Sequence, residues 1–208
     1  MDQERRIQCY EESFVEALKE NLAGRDRRVI EHPSFAHAAV LVPLYEKDRD
    51  CYILFTRRTQ QVRHHKGQIS FPGGAREHTD ADIVATALRE TEEEIGLPRN
   101  AVRVLGVLDD FQTPSGFCMT PVVGYAATVP ALHLHQGEVA GMFLAPLSFF
   151  LDGRNERMEQ RERSGKLADI YFYHYHEYVI WGATAAILRS FLHAERTCRK
   201  SHDGAKTL

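Results

Sequence analysis

The spacing of apolar positions predicts a layered α/β protein. Apolar residues at helical spacing predict three helices, over residues 13–22, 83–95 and 183–194. Runs rich in β-branched and aromatic side chains predict strands over residues 36–45, 51–56, 102–108, 121–129 and 139–144, with an aromatic segment over residues 170–180. Several strands with one central and one late helix favour a mixed α/β sandwich, in which helices cover a β-sheet.

Both ends of the chain are expected to lie outside this sandwich. The helix over residues 13–22 is followed by Gly24 and is expected to belong to an N-terminal extension, residues 1–34, outside the core. From residue 195 onward the sequence is polar, which predicts a disordered tail over residues 195–208. The predicted domain therefore spans residues 35–194.

Length and composition indicate one globular domain. The chain has 208 residues, of which 43% are hydrophobic and 26% charged, enough for one core. No apolar run has the length of a membrane span, and residues 1–12 lack an apolar segment, so we expect a cytoplasmic protein without a membrane partner. The net charge of -3 gives no overall attraction to nucleic acid, which we also exclude as a partner. The cysteines form no C-x2-C pair, so we expect reduced thiols and no zinc site.

Charge is distributed unevenly along the chain. Residues 51–76 contain no acid but carry several cations, namely Arg57, Arg58, Arg63, Lys66 and Arg76. Residues 80–94 then carry a dense group of acids, namely Asp80, Asp82, Glu90, Glu92, Glu93 and Glu94. A cationic segment beside an anionic one is the first indication of a functional site.

The acidic part of the helix over residues 83–95 predicts a metal site. Glu90 and Glu94 lie one turn apart on one face with Glu93 beside them, whereas Glu92 points elsewhere. Like charges at this spacing destabilise a helix, so a cation should compensate them. Carboxylates suit hard cations such as Mg2+ or Mn2+. The alternative is a solvated acidic face, and the glycine turn upstream argues against it, because glycine carbonyls approach a ligand closely.

That turn and the helix together resemble a known family motif. Phe71 to Gly74 (F-P-G-G), followed by Arg89-Glu90 and Glu93-Glu94-x-Gly96, resembles the Nudix box, G-x5-E-x7-R-E-U-x-E-E-x-G-U, where U is a bulky aliphatic residue. The chain departs from the box at Asp80, which replaces a glutamate, at one additional residue before Arg89, and at Thr91, which fills an aliphatic position. The resemblance implies a Nudix-type α/β/α sandwich with a mixed β-sheet and metal-dependent hydrolysis of a substituted nucleoside diphosphate.

A second motif upstream of the turn is more specific. The segment from Leu54 to Gly74 is similar to the coenzyme A pyrophosphatase motif, L-L-T-x-R-[SA]-x3-R-x3-G-x3-F-P-G-G, with Phe55 and Thr59 as conservative departures. The resemblance implies coenzyme A or a derivative as the small-molecule substrate, cleaved to 3',5'-ADP and 4'-phosphopantetheine. The substrate-binding residues it indicates are Arg57, Arg58, Arg63, Lys66, Phe71 and Gly74, the cations as phosphate partners.

The resemblance also assigns residues to the metal and to the chemistry. Glu90, Glu94, Glu93 and a carbonyl of Gly73 or Gly74 are expected to hold Mg2+ or Mn2+. Arg89 is expected to orient Glu93, which is ligand, general base or water-orienting group. Glu138, downstream of the box, is a second candidate for the general base, and an ordinary acid at a strand entry is the alternative.

Several alternatives stay open at this point. The substrate is instead ADP-ribose, a nucleoside triphosphate or a dinucleotide polyphosphate if the second motif misleads. A nucleotide-binding module without turnover is the rival from another class, although retention of the three acids argues for an enzyme. The aromatic segment at Tyr171 to Tyr175 suits adenine stacking, but strand alternation explains it equally and we predict no site there. The oligomeric state, including a homodimer, is not fixed by the sequence.

Overall fold

The structure is a computed structural model that describes residues 12–32, 35–47, 50–62, 65–113, 116–127, 131–163 and 166–205. Among these residues the larger sheet has eight strands: β1 (Ala36–Lys47), β2 (Asp50–Arg58), β3 (Ile69–Ser70), β4 (Gly73–Ala75), β5 (Arg103–Val107), β6 (Phe111–Gln112), β7 (Phe117–Ala126) and β8 (Val139–Pro146). Its main path runs β3-β2-β1-β7-β5, while β4, β6 and β8 pair with β1, β7 and β2 respectively. Strands β1 and β7 are parallel and the other pairs antiparallel, so the sheet is mixed.

A second, smaller sheet and four α-helices complete the described chain. The smaller sheet is antiparallel in the order β11-β10-β9, with β9 (Glu156–Arg163), β10 (Lys166–Tyr175) and β11 (Tyr178–Trp181). The helices are α1 (Glu12–Ala23), α2 (Ile83–Ile95), α3 (Leu147–Leu151) and α4 (Gly182–Ala205). No helix in the described ranges is both long and apolar enough to cross a membrane.

Strand β1 is buried on both faces because hydrophobic layers cover each side of it. Val40, Val42 and Leu44 point into a cluster shared with α1, α3 and α4. The intervening Leu41 and Tyr45 point into a second cluster beneath α2. Because successive strand residues face opposite sides, the almost continuous apolar run of β1 requires a layer on each side. The predicted α/β/α sandwich with a mixed sheet is confirmed.

Helix α2 begins and ends where its sequence predicts. The side chain of Asp82 accepts a hydrogen bond from the backbone N–H of Ala85 at 2.7 Å, which caps the first turn. Gly96 adopts the left-handed conformation, with φ at 72°, and donates its N–H to the carbonyl of Glu92 at 2.9 Å. Both signals are local, and they fix the rotation and length of the helix that carries the acids.

The two terminal helices differ from the expectations. Val15 and Leu18 of α1 are buried in the cluster that contains α4, so the expected position outside the core is wrong. Helix α4 continues from the predicted end at Ala194 to Ala205, where a disordered tail was expected. Glu195 is fully buried there, because one face of a helix packs inward even where its overall composition is polar.

The cysteine expectation also needs one correction. Cys51, at the start of β2, takes part in a disulfide bond, so the expectation of reduced thiols is wrong there. Cysteines that are far apart in sequence can meet in the folded chain, and their sequence spacing does not reveal this. Cys118 is free and buried.

Candidate active site

Three chain segments converge at one end of the larger sheet. Strand β4 carries the glycines of the F-P-G-G turn and pairs with β1. Helix α2 carries the acids and packs against both β1 and β4. The segment over residues 131–139 leads into β8, which pairs with the β2 strand that carries Arg57 and Arg58.

The glycine turn is shaped by close contacts that admit no side chain. A Cβ atom added at Gly73, where φ is 149°, would lie 2.2 Å from the carbonyl oxygen of Ala39. A Cβ atom at Gly74 would lie 2.4 Å from Oε2 of Glu90. Glycine at both positions therefore lets the turn lie directly against β1 and the acidic helix.

Phe71 supports the turn from inside the protein. It is 3% exposed, and its ring stacks on that of Phe55 with centroids 4.9 Å apart. The following carbonyl, of Pro72, accepts the N–H of Leu41 at 2.9 Å. Phe71 was expected to bind substrate, and the structure instead places it in the core beneath the turn, where aromatic burial is favourable.

Glu94 is the most deeply buried acid of α2. Its Oε2 accepts the backbone N–H of Gly73 at 3.2 Å, and its Oε1 lies 3.9 Å from Nη1 of Arg58. Burial raises the pKa of Glu94 from 4.5 to about 7, although these two contacts lower it. Ionising a carboxylate that is so well shielded from water is costly, so a nearby cation would stabilise its charged form.

Glu90 faces the same region one turn earlier on α2. Its side chain is 17% exposed, and its Oε1 lies 3.0 Å from Nη1 of Arg89. Burial raises the pKa of Glu90, the adjacent guanidinium lowers it, and the charges of Glu93 and Glu138 raise it further. Glu90 and Glu94 thus share one desolvated, negatively charged environment.

Arg89 connects the acids with the loop before the helix. Its Nε and Nη2 atoms contact the two carboxylate oxygens of Asp80 at 2.8 and 3.0 Å, and Nη2 also donates to the carbonyl of Ala75 at 3.0 Å. Its Nη1 reaches both Glu90, at 3.0 Å, and Glu93, at 3.1 Å. Hydrogen bonds from Arg89 hold the pKa of Asp80 well below its usual range. One guanidinium therefore fixes the loop, strand β4 and two acids.

Asp80 was not among the predicted site residues, although it holds both Nε and Nη2 of Arg89. It also accepts hydrogen bonds from the hydroxyl of Thr86 at 3.0 Å and the N–H of Glu77 at 2.9 Å. The signal was available, because Asp80 occupies the glutamate position of the box. The shorter side chain still forms a bidentate pair with Arg89.

Glu93 stands apart from Glu90 and Glu94. Its side chain is 57% exposed and pairs with Arg89, which agrees with the orientation expected from the sequence. Across the ranges that the structure describes, no three His, Cys, Asp or Glu side chains are grouped in a way that could hold a metal ion. Two carboxylates, those of Glu90 and Glu94, and a carbonyl of the glycine turn are the oxygen donors here that suit a hard cation.

The segment with Glu138 is fastened to both sides of the site. The N–H of His135 donates to the carbonyl of Glu94 at 2.9 Å, which ties the segment to the last turn of α2. On the other side, Thr59 donates its N–H to the carbonyl of Glu138 at 2.8 Å and its hydroxyl to that of Gly137 at 2.9 Å. The Glu138 side chain is 47% exposed, and its charge raises the pKa of both Glu90 and Glu94. No sequence signal indicated Thr59 as the residue that anchors this segment.

The four predicted cations differ in their relation to the acids. Arg58 reaches Glu94, whereas Arg57 and Lys66 are exposed at the surface. A register shift in the pairing of β2 with β8 separates Arg57 from Arg58. Arg63 lies outside the described residues.

The raised pKa of Glu94 predicts a pH-dependent stability in the absence of divalent metal. The pKa of Glu94 is 4.5 in the unfolded chain and about 7 in the folded protein. Its contribution to the free energy of unfolding is therefore fully present below pH 4.5 and is lost as the pH rises through 7. The free energy of unfolding of Glu94→Gln, relative to that of the original protein, should therefore rise by roughly 3 kcal/mol from pH 4 to pH 8. Urea unfolding with a chelator at both pH values measures this difference. A difference that does not change with pH would contradict the assigned burial of charge.

Comparison with known proteins places this geometry in a family. The family model described as NUDIX domain matches residues 35–180. The chain is 41% identical over 152 residues to a Photorhabdus laumondii protein named uncharacterized Nudix hydrolase NudL, covering 73% of this chain and 81% of that protein. It is 42% identical over 161 residues to the Pectobacterium atrosepticum protein of the same name, covering 73% and 78%. The crystal structure of a NUDIX hydrolase from Alicyclobacillus acidocaldarius is similar in fold, with a TM-score of 0.51 at 21% identity, covering 77% of this chain and 92% of that one.

Proposed function

Because this chain belongs to the Nudix family of hydrolases, we propose that it cleaves the pyrophosphate bond of coenzyme A or a derivative. The products are 3',5'-ADP and 4'-phosphopantetheine. When the substrate is an acylated coenzyme A, the phosphopantetheine product carries the acyl group. Nudix hydrolases act on small nucleotide derivatives and generally use divalent metals. The general reaction class follows from the family, and the choice of substrate rests on the residues of β2 and the glycine turn.

The observation that carries the proposal is the contact between Arg58 and Glu94. Arg58 occupies a fixed position of the coenzyme A motif, and Glu94 a fixed position of the Nudix box, and their side chains lie 3.9 Å apart. The two motifs thus contribute to one site. An arginine there suits a phosphate oxygen, because its planar fork can pair with two oxygens at once.

The acids and glycines supply the oxygen donors of the proposed metal site. Glu90, Glu94 and a carbonyl of Gly73 or Gly74 would hold Mg2+ or Mn2+. Glu93, which is exposed and pairs with Arg89, would lie at the edge of this site. When bound, such a cation polarises a pyrophosphate and acidifies the attacking water. Arg89 keeps the Glu90 carboxylate in place, so the donors are arranged before the substrate arrives.

Glu138 is the proposed general base. It lies in the segment that is anchored at Thr59 and at the carbonyl of Glu94, and its carboxylate is exposed to water. In the proposed step, water attacks one phosphorus, its proton passes to Glu138, and the bond from that phosphorus to the bridging oxygen breaks. Arg58 stabilises the charge that develops on the pyrophosphate.

Replacing Glu138 by glutamine distinguishes two possible roles of this residue, general base and metal ligand. Glu138→Gln should lower kcat by roughly 100-fold or more, because the amide cannot accept the proton. The rise in melting temperature on adding Mg2+ should persist, because Glu138 is not among the proposed ligands. Steady-state kinetics and thermal unfolding measure the two effects, with Glu20→Gln on the exposed side of α1 as a control. Loss of the metal response in Glu138→Gln would reassign Glu138 as a ligand.

A direct assay tests the proposed substrate. The purified protein is incubated with coenzyme A, ADP-ribose and a nucleoside triphosphate, each with Mg2+ and with Mn2+, and products are identified by mass spectrometry. We expect 3',5'-ADP and 4'-phosphopantetheine from coenzyme A at the highest rate. Faster cleavage of another nucleotide would keep the hydrolase and reject coenzyme A. No turnover of any of them would favour a nucleotide-binding module.

A further inference from the structure

The outer face of the smaller sheet exposes an aromatic pair. Phe172 on β10 lies opposite Trp181 on β11, and their rings are nearly parallel, with centroids 6.2 Å apart and planes 7° apart. Trp181 is 37% exposed. Tyr173, which follows Phe172, and Ile180, which precedes Trp181, are fully buried. We call Phe172 and Trp181 the aromatic platform. The sheet therefore buries one face against α4 and presents the platform on the other.

Two arginines of β9, Arg157 and Arg161, lie beside this platform, and Arg161 also pairs with Glu159 at 2.7 Å. The guanidinium carbon of Arg161 lies 5.4 Å from the centroid of the Phe172 ring, within the range of a cation–π contact. Arg157 is exposed on β9 directly opposite Phe172, and so projects from the same face. Flat aromatic rings flanked by guanidinium groups are a combination that suits a nucleobase bearing phosphate.

The platform adjoins the segment with the proposed phosphate partners. Strand β11 lies against β3, and the hydroxyl of Thr184, just after Trp181, donates to the carbonyl of Ile69 in β3 at 3.0 Å. Ile69 is in turn paired with Arg57 across the β2 and β3 ladder. Only the short strand β3 thus separates the platform from the cationic end of β2.

A nucleobase fits this surface better than a protein partner does. Among the described residues, the other exposed large apolar side chain of this face near the platform is that of Val179, and β9 is charged. Stable protein interfaces need a larger apolar centre than this, whereas one base is about as large as an indole ring.

We propose that the aromatic platform stacks on the adenine of the substrate and that Arg157 pairs with the phosphate on its ribose. This inference rests on the proposed function, because it assigns a subsite to the same substrate. It makes Phe172, Trp181 and Arg157 determinants of substrate affinity, outside the metal site. It also explains why an exposed tryptophan sits one strand away from the phosphate-binding segment.

Fluorescence tests the platform without any turnover. Trp181 is the one tryptophan of the chain, so the intrinsic tryptophan emission reports on this position alone. Titration with 3',5'-ADP should quench the emission with saturation, and 4'-phosphopantetheine should not. Phe172→Leu should weaken the binding of 3',5'-ADP about tenfold. Arg157→Gln should weaken the binding of 3',5'-ADP but leave that of 5'-AMP, which lacks the second phosphate, unchanged.

Kinetics with a matched variant completes the test. Trp181→Leu should raise KM for coenzyme A about tenfold and leave kcat nearly unchanged, because the platform lies away from the reacting phosphorus. Leu167→Ala, which removes an exposed apolar side chain of β10 elsewhere on the sheet, should change neither.

The outcomes separate this inference from the proposed function. If 3',5'-ADP inhibits hydrolysis without affecting the emission, or if no concentration of it quenches Trp181, the platform is not the adenine subsite. An emission that changes with protein dilution in the absence of nucleotide would instead mean that a second copy covers this face. Saturable quenching by 3',5'-ADP without hydrolysis of coenzyme A would keep the subsite and reject the proposed reaction.

Discussion

Replacing Glu94 by glutamine is expected to lower the rate of hydrolysis about 1,000-fold while the fold stays intact. Glu94 combines the deepest burial among the acids of α2 with hydrogen bonding to the glycine turn. Glutamine preserves its shape but removes the charge that a divalent cation needs, and loss of such a contribution is worth several kcal/mol in the transition state. Measurement of kcat/KM for coenzyme A with Mg2+ and with Mn2+ gives the effect.

The same helix supplies the matched control for this experiment. Glu92 is also an acid of α2 but points away from the site and pairs with Arg99 at 2.7 Å, half-exposed to solvent. Glu92→Gln should therefore retain full activity and the full gain in melting temperature on adding metal. Glu94→Gln should lose both, and should melt higher than the original protein at pH 8 without metal. Activity of Glu94→Gln within tenfold of the original protein would remove Glu94 from the metal site.

Local signals explain why α2 could be predicted from the sequence to the residue. Asp82 before the helix and Gly96 after it are capping residues whose preferences act within a few residues of chain. The apolar face of the helix follows from its periodicity, and hence so does the placement of Glu90 and Glu94 together. The glycine turn was predicted for the same reason, because close backbone approach demands glycine there.

Contacts between distant segments could not be predicted in this way. The approach of Arg58 to Glu94 depends on how β2 lies relative to α2, which no local preference specifies. The hydrogen bonds from Thr59 to the segment with Glu138 likewise join residues far apart in the chain. Composition misled at the C-terminus, where polar residues were interpreted as disorder although one face of α4 is buried. Tertiary packing decided each of these cases.

Replacing Arg89 by methionine is expected to destabilise the protein by about 3–5 kcal/mol. The side chains of Arg89 and Asp80 are only 10% and 4% exposed, so the substitution leaves a buried carboxylate without its partner. It also releases the carbonyl of Ala75 and the carboxylate of Glu90. Urea unfolding at pH 7 measures the loss, and hydrolysis should fall as well, because the donors of the metal site lose their support.

A double-mutant cycle shows whether the loss arises from the pair itself. If Arg89 acts mainly on Asp80, Arg89→Met combined with Asp80→Asn should be more stable than the sum of the single effects predicts, because the uncompensated charge is gone. Arg99→Met breaks an exposed ion pair with Glu92 of the same helix and should cost less than about 1 kcal/mol. Additive effects of Arg89→Met and Asp80→Asn would mean that the two side chains are not coupled. Arg89 would then support the site mainly through Ala75 and Glu90.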